Sequence, residues 1–321
     1  MTDYLDIIEL HVDKDKAGER IDKFLSDTLS NYRASESECG DGALSFSRSY
    51  IQKLVGDGLV LVDNKNIKSN YKLSDGELIT VNVPFPEELE ILPEDIPLDI
   101  VYEDDDVILV NKPKGMVVHP AAGHYSGTLV NALMYHCKNA LSGINGVLRP
   151  GIVHRIDMDT TGLIIACKNN AAHLSLGEQL KNHSITRFYE AICYNNFSDM
   201  SGTVDAPIGR NPRDRKKMAI NRQSGREAVT HYEVISNLKG FAHIKCRLET
   251  GRTHQIRVHM ASISHPILGD NLYCSAKPPF NLQGQTLHAS TLGFVHPRTG
   301  EYMEFKVPLP DYFEGLLERL K

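Results

Sequence analysis

The sequence predicts an α+β protein in two parts: a small α+β domain, then a larger domain built on a mostly antiparallel sheet. Three observations carry this. Before residue 82, two helical patterns give way to short alternating runs. From about residue 99, strand-like runs outnumber helical ones without a regular βαβ alternation. Between them, residues 83–98 hold four prolines in sixteen positions, which excludes a helix and reads as an extended spacer. A chain of 321 residues suits about two domains.

The elements follow in order. Residues 1–17 read as an N-terminal segment outside the first domain, which spans 18–82. Ile21, Phe24, Leu25 and Leu29 mark its first helix by their spacing. Residues 31–46 are polar and rich in Ser, Glu and Gly, and read as a surface loop. Ser49 to Val55 gives a second helix, stopped by Gly56-Asp57-Gly58. Leu59–Val62 and Leu78–Val81 are short strands beside the turns Asp63-Asn64-Lys65 and Asp75-Gly76. In the second domain, 99–321, strands are expected at 107–110, 163–166, 189–193, 228–234 and 241–248. Helices are expected at 127–138 and 171–182.

Net charge is −6, which at first argues against a nucleic-acid partner. Its distribution reverses that argument. Residues 1–106 carry 25 acidic and 10 basic side chains, and residues 107–321 carry 16 and 25. Ten of the acids fall in 83–106, a run without Lys or Arg that solvates the linker. The larger domain is therefore basic. No apolar stretch approaches the roughly 18 residues of a membrane span. The acidic, polar start does not read as a secretory leader. Six cysteines without a Cys-x-x-Cys pair suit reduced thiols in a cytoplasmic protein.

Three polar clusters stand out. Arg149 to Leu163 (RPGIVHRIDMDTTGL) runs directly into an apolar strand, and loops held on rigid strands often carry catalytic groups. On local chemistry alone, Asp157 beside Arg155 and His154 reads more simply as an ion pair. Gly251 to Met260 (GRTHQIRVHM) is the second cluster. Its His254 and His259 are five apart, not at the i, i+4 spacing of a helical zinc pair, so no metal is expected. The third is 209–226, with seven Lys/Arg against one Asp. Arg210, Arg213, Arg215, Lys216 and Lys217 form its densest part, and such density suits phosphate-backbone binding over a merely solvated loop.

Taken together and in order, the motifs resemble one family. His154-Arg155-Ile156-Asp157-x-x-Thr160-Thr161-Gly162-Leu163 is similar to the signature of the RluA-type RNA pseudouridine synthases. The order of motifs resembles the RluD-like branch, which modifies 23S ribosomal RNA. Val110 to Pro120, Gly251 to His259, Pro266 to Asp270 and Leu287-His288-Ala289 match further motifs. Gly18 to Leu25 and Ser47 to Leu54 resemble an S4-type RNA-binding domain. Ile156 and Ile256 stand where relatives often carry Leu, a conservative departure.

The resemblance implies roles. Asp157 is the essential aspartate, Tyr189 stacks on the target base, and Arg257 pairs with Asp157 and orients it. Arg155 and His154 hold RNA with the base extruded, and Arg20, Arg48 and Lys53 bind RNA from the first domain. The implied reaction needs no cofactor. The implied partner is RNA, 23S rRNA or a precursor of the large ribosomal subunit; no membrane partner is expected, and a monomer is the default where the sequence is silent on oligomeric state. Relatives that act on transfer RNA are an alternative. Two other classes compete: a non-catalytic ribosome-associated RNA-binding protein, and a glycosidase-like hydrolase. The latter calls for two carboxylates about one bond, with Asp159 the only close second acid.

Overall fold

The computed structural model describes residues 4–29, 46–84, 91–121, 123–138, 140–144, 149–214 and 216–321. The loop expected at 31–46 lies outside these residues except for its last one. The chain divides into two compact units, Met1–Glu88 and Leu89–Lys321.

The first unit has strand β1 (Asp6–His11), helices α1 (Ile21–Thr28) and α2 (Arg48–Gly56), and strands β2 (Val60–Val62), β3 (Lys65–Asn66) and β4 (Leu78–Val83). The antiparallel sheet runs β1-β4-β2-β3. Ile21, Leu25, Ile51 and Leu54 pack the helices against Val60, Ile79 and Val81 of the sheet. Ser47 caps α2 by accepting the Tyr50 amide. The expected boundary at residue 18 is corrected here. β1 pairs residue for residue with β4, from Asp6↔Val83 to His11↔Leu78, so the N-terminal segment is part of the sheet. Its acidic start hid a strand whose alternation is weak, with only Ile8 fully inward.

The second unit adds β5 (Ile100–Glu103), β6 (Val107–Lys112), α3 (Leu129–Cys137), β7 (Thr161–Cys167), α4 (Asn170–Lys181), β8 (Thr186–Tyr194) and β9 (Ser201–Asp205). There follow β10 (Ile208–Arg210), β11 (Met218–Ile220), β12 (Val229–Asn237), β13 (Phe241–Leu248), α5 (Gln255–Ser262), β14 (Leu287–Val295), β15 (Tyr302–Lys306) and α6 (Asp311–Leu320). Its large sheet runs β5-β6-β7-β14-β8-β13-β12-β9, with β15 also on β14, while β10 and β11 form a separate hairpin. Among the described pairs only β7 and β14 are parallel.

The sheet is covered on both faces near β6 and β7, which is why these strands read as unbroken apolar runs. Ile108, Val110 and Ile164 pack with Leu129 and Leu133 of α3. Val107, Leu109, Leu163 and Ile165 pack on the opposite face with Ala172 and Leu176 of α4. The end of the proline-rich spacer also belongs to this unit, a second correction. Ile91 is buried in the α3-side core, the Glu94 carboxylate accepts the Gly127 amide, and the Asn131 side chain donates to the Leu92 carbonyl.

β14 joins the two halves of the sheet, and Gly162 makes the junction close. It has φ +106°, and a side chain there would strike the Ala289 backbone. The polar loop ending at Gly162 is thus delivered to the middle of the sheet.

Candidate active site

That loop, β8, and the turn entering α5 surround a cleft of about 660 Å³. Asp157 is the only acid among the described residues lining it, against seven Lys or Arg side chains. A polyanion fits such walls, and low-dielectric surfaces focus the field further.

Asp157 is fixed from both sides in sequence. The Lys112 ammonium is fully buried and donates to the carbonyls of Pro113, Met116 and Met158 at 2.8, 2.9 and 2.9 Å. All three of its N–H groups are used to tie the 113–116 turn to the residue after Asp157. Burial pushes the Lys112 pKa down to about 7. On the other side the Thr160 amide donates to the Asp157 carbonyl, and the Gln285 amide holds the Thr160 hydroxyl at 3.0 Å. Sequence reasoning gave Lys112 no role. The available signal was a lysine ending an apolar strand just before Pro113.

The carboxylate of Asp157 meets Arg257. Arg257 sits in α5, whose start is pinned by the buried Gln255 amide: this accepts from Arg252 N–H and Thr250 Oγ and donates to the Val229 carbonyl. The guanidinium spends Nε and Nη2 on Asp270, at 2.7 and 2.9 Å, and offers Nη1 to Asp157 at 2.8 Å. Asp270 is held in turn by the Leu272 and Tyr273 amides. Burial works against the Arg257 charge, but the Asp270 hydrogen bonds and the fields of both acids outweigh it and raise its pKa. The Asp157 side chain keeps 16% exposure, whereas that of Asp270 has none.

His254 stands on the far side of Asp157, with Nε2 3.8 Å from Oδ1. The Tyr273 hydroxyl accepts the Met218 amide at 2.8 Å and lies 2.7 Å from His254 Nδ1. The hydroxyl thus links the Met218 amide to the His254 ring. Burial lowers the His254 pKa and favours the neutral imidazole. At 3.8 Å the contact exceeds a direct hydrogen bond.

Tyr189 is 7% exposed and lies in β8 between Cys246 of β13 and Ala289 of β14. Its ring forms part of the cleft wall. Arg155 is exposed at the rim, its Nη1 3.4 Å from His119 Nε2. Burial, then the charges of Arg155 and Arg149, push the His119 pKa down to about 4.

Other expected positions are placed differently. His154 lines the cleft, but its Nε2 accepts the Ile165 amide at 3.1 Å, and burial, aided by Arg187, pushes its pKa down to about 3. It is a neutral brace for β7. Asp159 does not line the cleft, so the paired carboxylates of a glycosidase are not assembled there. Arg210, Arg213 and Lys216 are exposed on and beyond the β10–β11 hairpin, with Lys217 partly covered, and none lines the cleft. Arg215 lies outside the described residues. Arg20 and Arg48, in the first unit, both grip the fully buried Asp22, and Lys53 is exposed on α2. Away from the cleft, Asp104, Asp106 and His296 converge closely enough to hold a cation. Each already has partners, the Arg298 fork on Asp106 among them.

Residues 106–262 match the family described as RNA pseudouridylate synthase. The uncharacterized RNA pseudouridine synthase YlyB of Bacillus subtilis (strain 168) is 50% identical over 314 residues, 98% of each chain. Ribosomal large subunit pseudouridine synthase D of Zymomonas mobilis is 46% identical over 284 residues, 85% of this chain and 89% of that one. The structure of human RNA pseudouridylate synthase domain containing 4 superposes with a TM-score of 0.53 at 27% identity, covering 69% of this chain and 92% of the other. The chain belongs to the RluA-type, RluD-like family of RNA pseudouridine synthases, and is an isomerase of uridine in RNA.

Proposed function

We propose that this pseudouridine synthase acts on uridines of 23S rRNA in the large ribosomal subunit or its precursor, with Asp157 as its essential carboxylate. The observation that carries the site assignment is the Arg257 bridge. A buried guanidinium, saturated on one edge by Asp270, presents one N–H to a carboxylate left open to a basic cleft. Such a charge-assisted hydrogen bond fixes the direction of the carboxylate. The substrate follows from the relatives named for the large ribosomal subunit, which cover most of the chain at 40–46% identity.

The chemistry proceeds on an extruded nucleotide, because the reacting bond is inaccessible within a stack. The Tyr189 ring supplies the surface on which the freed uracil rests, replacing lost stacking at roughly 1–3 kcal/mol. Arg155, at the rim, stabilises the opened strand. The C1′–N1 bond breaks, the uracil turns, and C5 bonds to C1′. The C5 proton leaves and N1 gains one, so the reaction is an isomerisation without net loss. Asp157 is the anionic group beside this exchange, as a carboxylate is in covalent glycosyl chemistry. In the first unit, which we assign as an S4-type domain, Arg20, Arg48 and Lys53 add phosphate contacts. The exposed basic side chains near the β10–β11 hairpin extend them. We assign a monomer in the cytoplasm; no described helix is long and apolar enough to cross a membrane.

The test combines purified protein with 23S rRNA and transfer RNA transcripts, followed by carbodiimide-based pseudouridine mapping. New pseudouridine in 23S rRNA with wild type, and none with Asp157→Asn, is the expected result. Modification of transfer RNA alone would overturn the substrate assignment. Equal modification by Asp157→Asn would overturn the role of Asp157.

A further inference from the structure

Arg187 is a buried cation without a matching anion. It is 5% exposed, on β8, two residues before Tyr189. No carboxylate among the described residues lies within 4.0 Å of its guanidinium. Its one hydrogen bond to a described residue runs from Nη2 to the Glu249 carbonyl at 3.0 Å, and its buried Nε has no partner. Besides Tyr189, the group that acts on its charge is a second cation, Arg252, whose Nε is tied to the Glu227 carbonyl. His154, also close, is neutral. Burying a charge without a counterion is among the costlier arrangements a protein adopts, and a single carbonyl does not compensate it.

The surroundings admit this arginine deliberately. Gly251 lies against it: a side chain there would come within 2.6 Å of Arg187 Nη1. Arg187, Gly251 and Arg252 all line the cleft that holds Asp157 and Tyr189. Residues i and i+2 of a strand share a face, about 7 Å apart. Arg187 and Tyr189 thus face the same space, separated by roughly the span from a nucleobase, across its sugar, to its phosphate.

We infer that Arg187, with Arg252 beside it, binds the RNA phosphodiester adjacent to the uridine whose base rests on Tyr189. This rests on the RNA reading of the cleft and adds the anchor that fixes the nucleotide along the strand. A phosphate oxygen supplies the missing anion and an acceptor for the free N–H, and the planar fork suits it. The charge stays desolvated in the free enzyme, so the site is built before RNA arrives.

A double cycle between side chain and phosphate tests this. The probe is the pentanucleotide r(AAUAA), with a neutral methylphosphonate placed 5′ or 3′ to the uridine, and binding is read by fluorescence anisotropy. One of the two neutral linkages should weaken wild-type binding about tenfold, and Arg187→Gln should weaken binding of the unmodified probe by a similar factor. Combined, they should lose no more than either alone. Arg187→Lys should recover part of the loss. Additive losses, or wild-type binding indifferent to both linkages, would overturn the inference. If Arg187→Gln does not fold, Gly251→Ala, which displaces the guanidinium, enters the same cycle. Modification of 23S rRNA is scored separately. Its absence beside an intact coupling refutes the substrate and leaves the phosphate site standing.

Discussion

Each unit contains an arginine–carboxylate cluster, and the two are built inside out relative to each other. In the first unit the acid is buried: Asp22 has no exposure and receives Arg20, Arg48 and the Gln52 amide. Burial alone would raise the Asp22 pKa, but those three partners hold it well below the ordinary carboxylate range. The two arginines remain about half exposed, at 46% and 50%. In the second unit the arginine is buried, with Arg257 between a hidden Asp270 and a half-open Asp157. The buried member of each cluster is held by its partners, and the more exposed member keeps access to solvent. In the function proposed above, one unit then offers cations to RNA and the other offers an anion.

This contrast can be broken experimentally. The largest effect belongs to Asp157→Asn, which removes the offered anion and leaves no buried charge stranded. Pseudouridine formation should fall by at least about 10³-fold, with a melting temperature close to wild type. A comparable drop in stability would mean that Asp157 is scaffold as well. Arg257→Met comes next, because it strands Asp270. We expect a loss of about 3–5 kcal/mol in stability along with activity, measured by denaturant titration. Asp270→Asn should cost less stability and lower kcat more than it raises KM, since Arg257 would lose its orientation.

In the first unit the order reverses. Asp22→Ala frees two arginines to rehydrate, at a cost of about 1–2 kcal/mol. RNA affinity should fall severalfold and its salt dependence should flatten, with kcat unchanged. Arg20→Met with Arg48→Met leaves Asp22 buried with little compensation, and should destabilise the unit more than Asp22→Ala does. The opposite ranking would show that the arginines are the scaffold.

A last effect concerns pH. His119 and His154 have pKa values near 4 and 3 in the folded chain, below the ordinary histidine value of about 6.5. As pH falls below about 6.5 the unfolded chain takes up protons first, so stability declines toward pH 4. The slope approaches, at most, about 1.4 kcal/mol per pH unit per histidine. Asn at position 154, which keeps an acceptor for the Ile165 amide, should shallow the decline.

Much of this architecture was legible in the residues, for definite reasons. The runs Val107–Val110 and Leu163–Ala166 read as strands because both faces of the sheet are covered there. Phe241–Leu248 was visible because Ala242, Ile244, Cys246 and Leu248 all face one core. α5 was not legible as a helix: Gln255, Arg257 and His259 are buried alongside Ile256, Val258 and Met260, so it has no polar face to set a period. β1 was lost to its acidic flanks. α6, amphipathic though it is, went unread at the chain's end.

By itself, then, the sequence determined the order of motifs and the basic character of the larger unit, and the family resemblance carried by those motifs made Asp157, Tyr189 and Arg257 candidates. Motif order and charge are properties of the chain read along its length. Only the tertiary structure decided which partner each charge would have. Asp270 lies 13 residues from Arg257, Asp157 lies 100 away, and the Glu249 carbonyl that meets Arg187 lies 62 residues away, just past the end of the neighbouring strand. Whether an arginine is paired, braced or left waiting for a phosphate depends on what the fold brings within about 3 Å of it. Chain folding sets that distance, and no local pattern of residues encodes it.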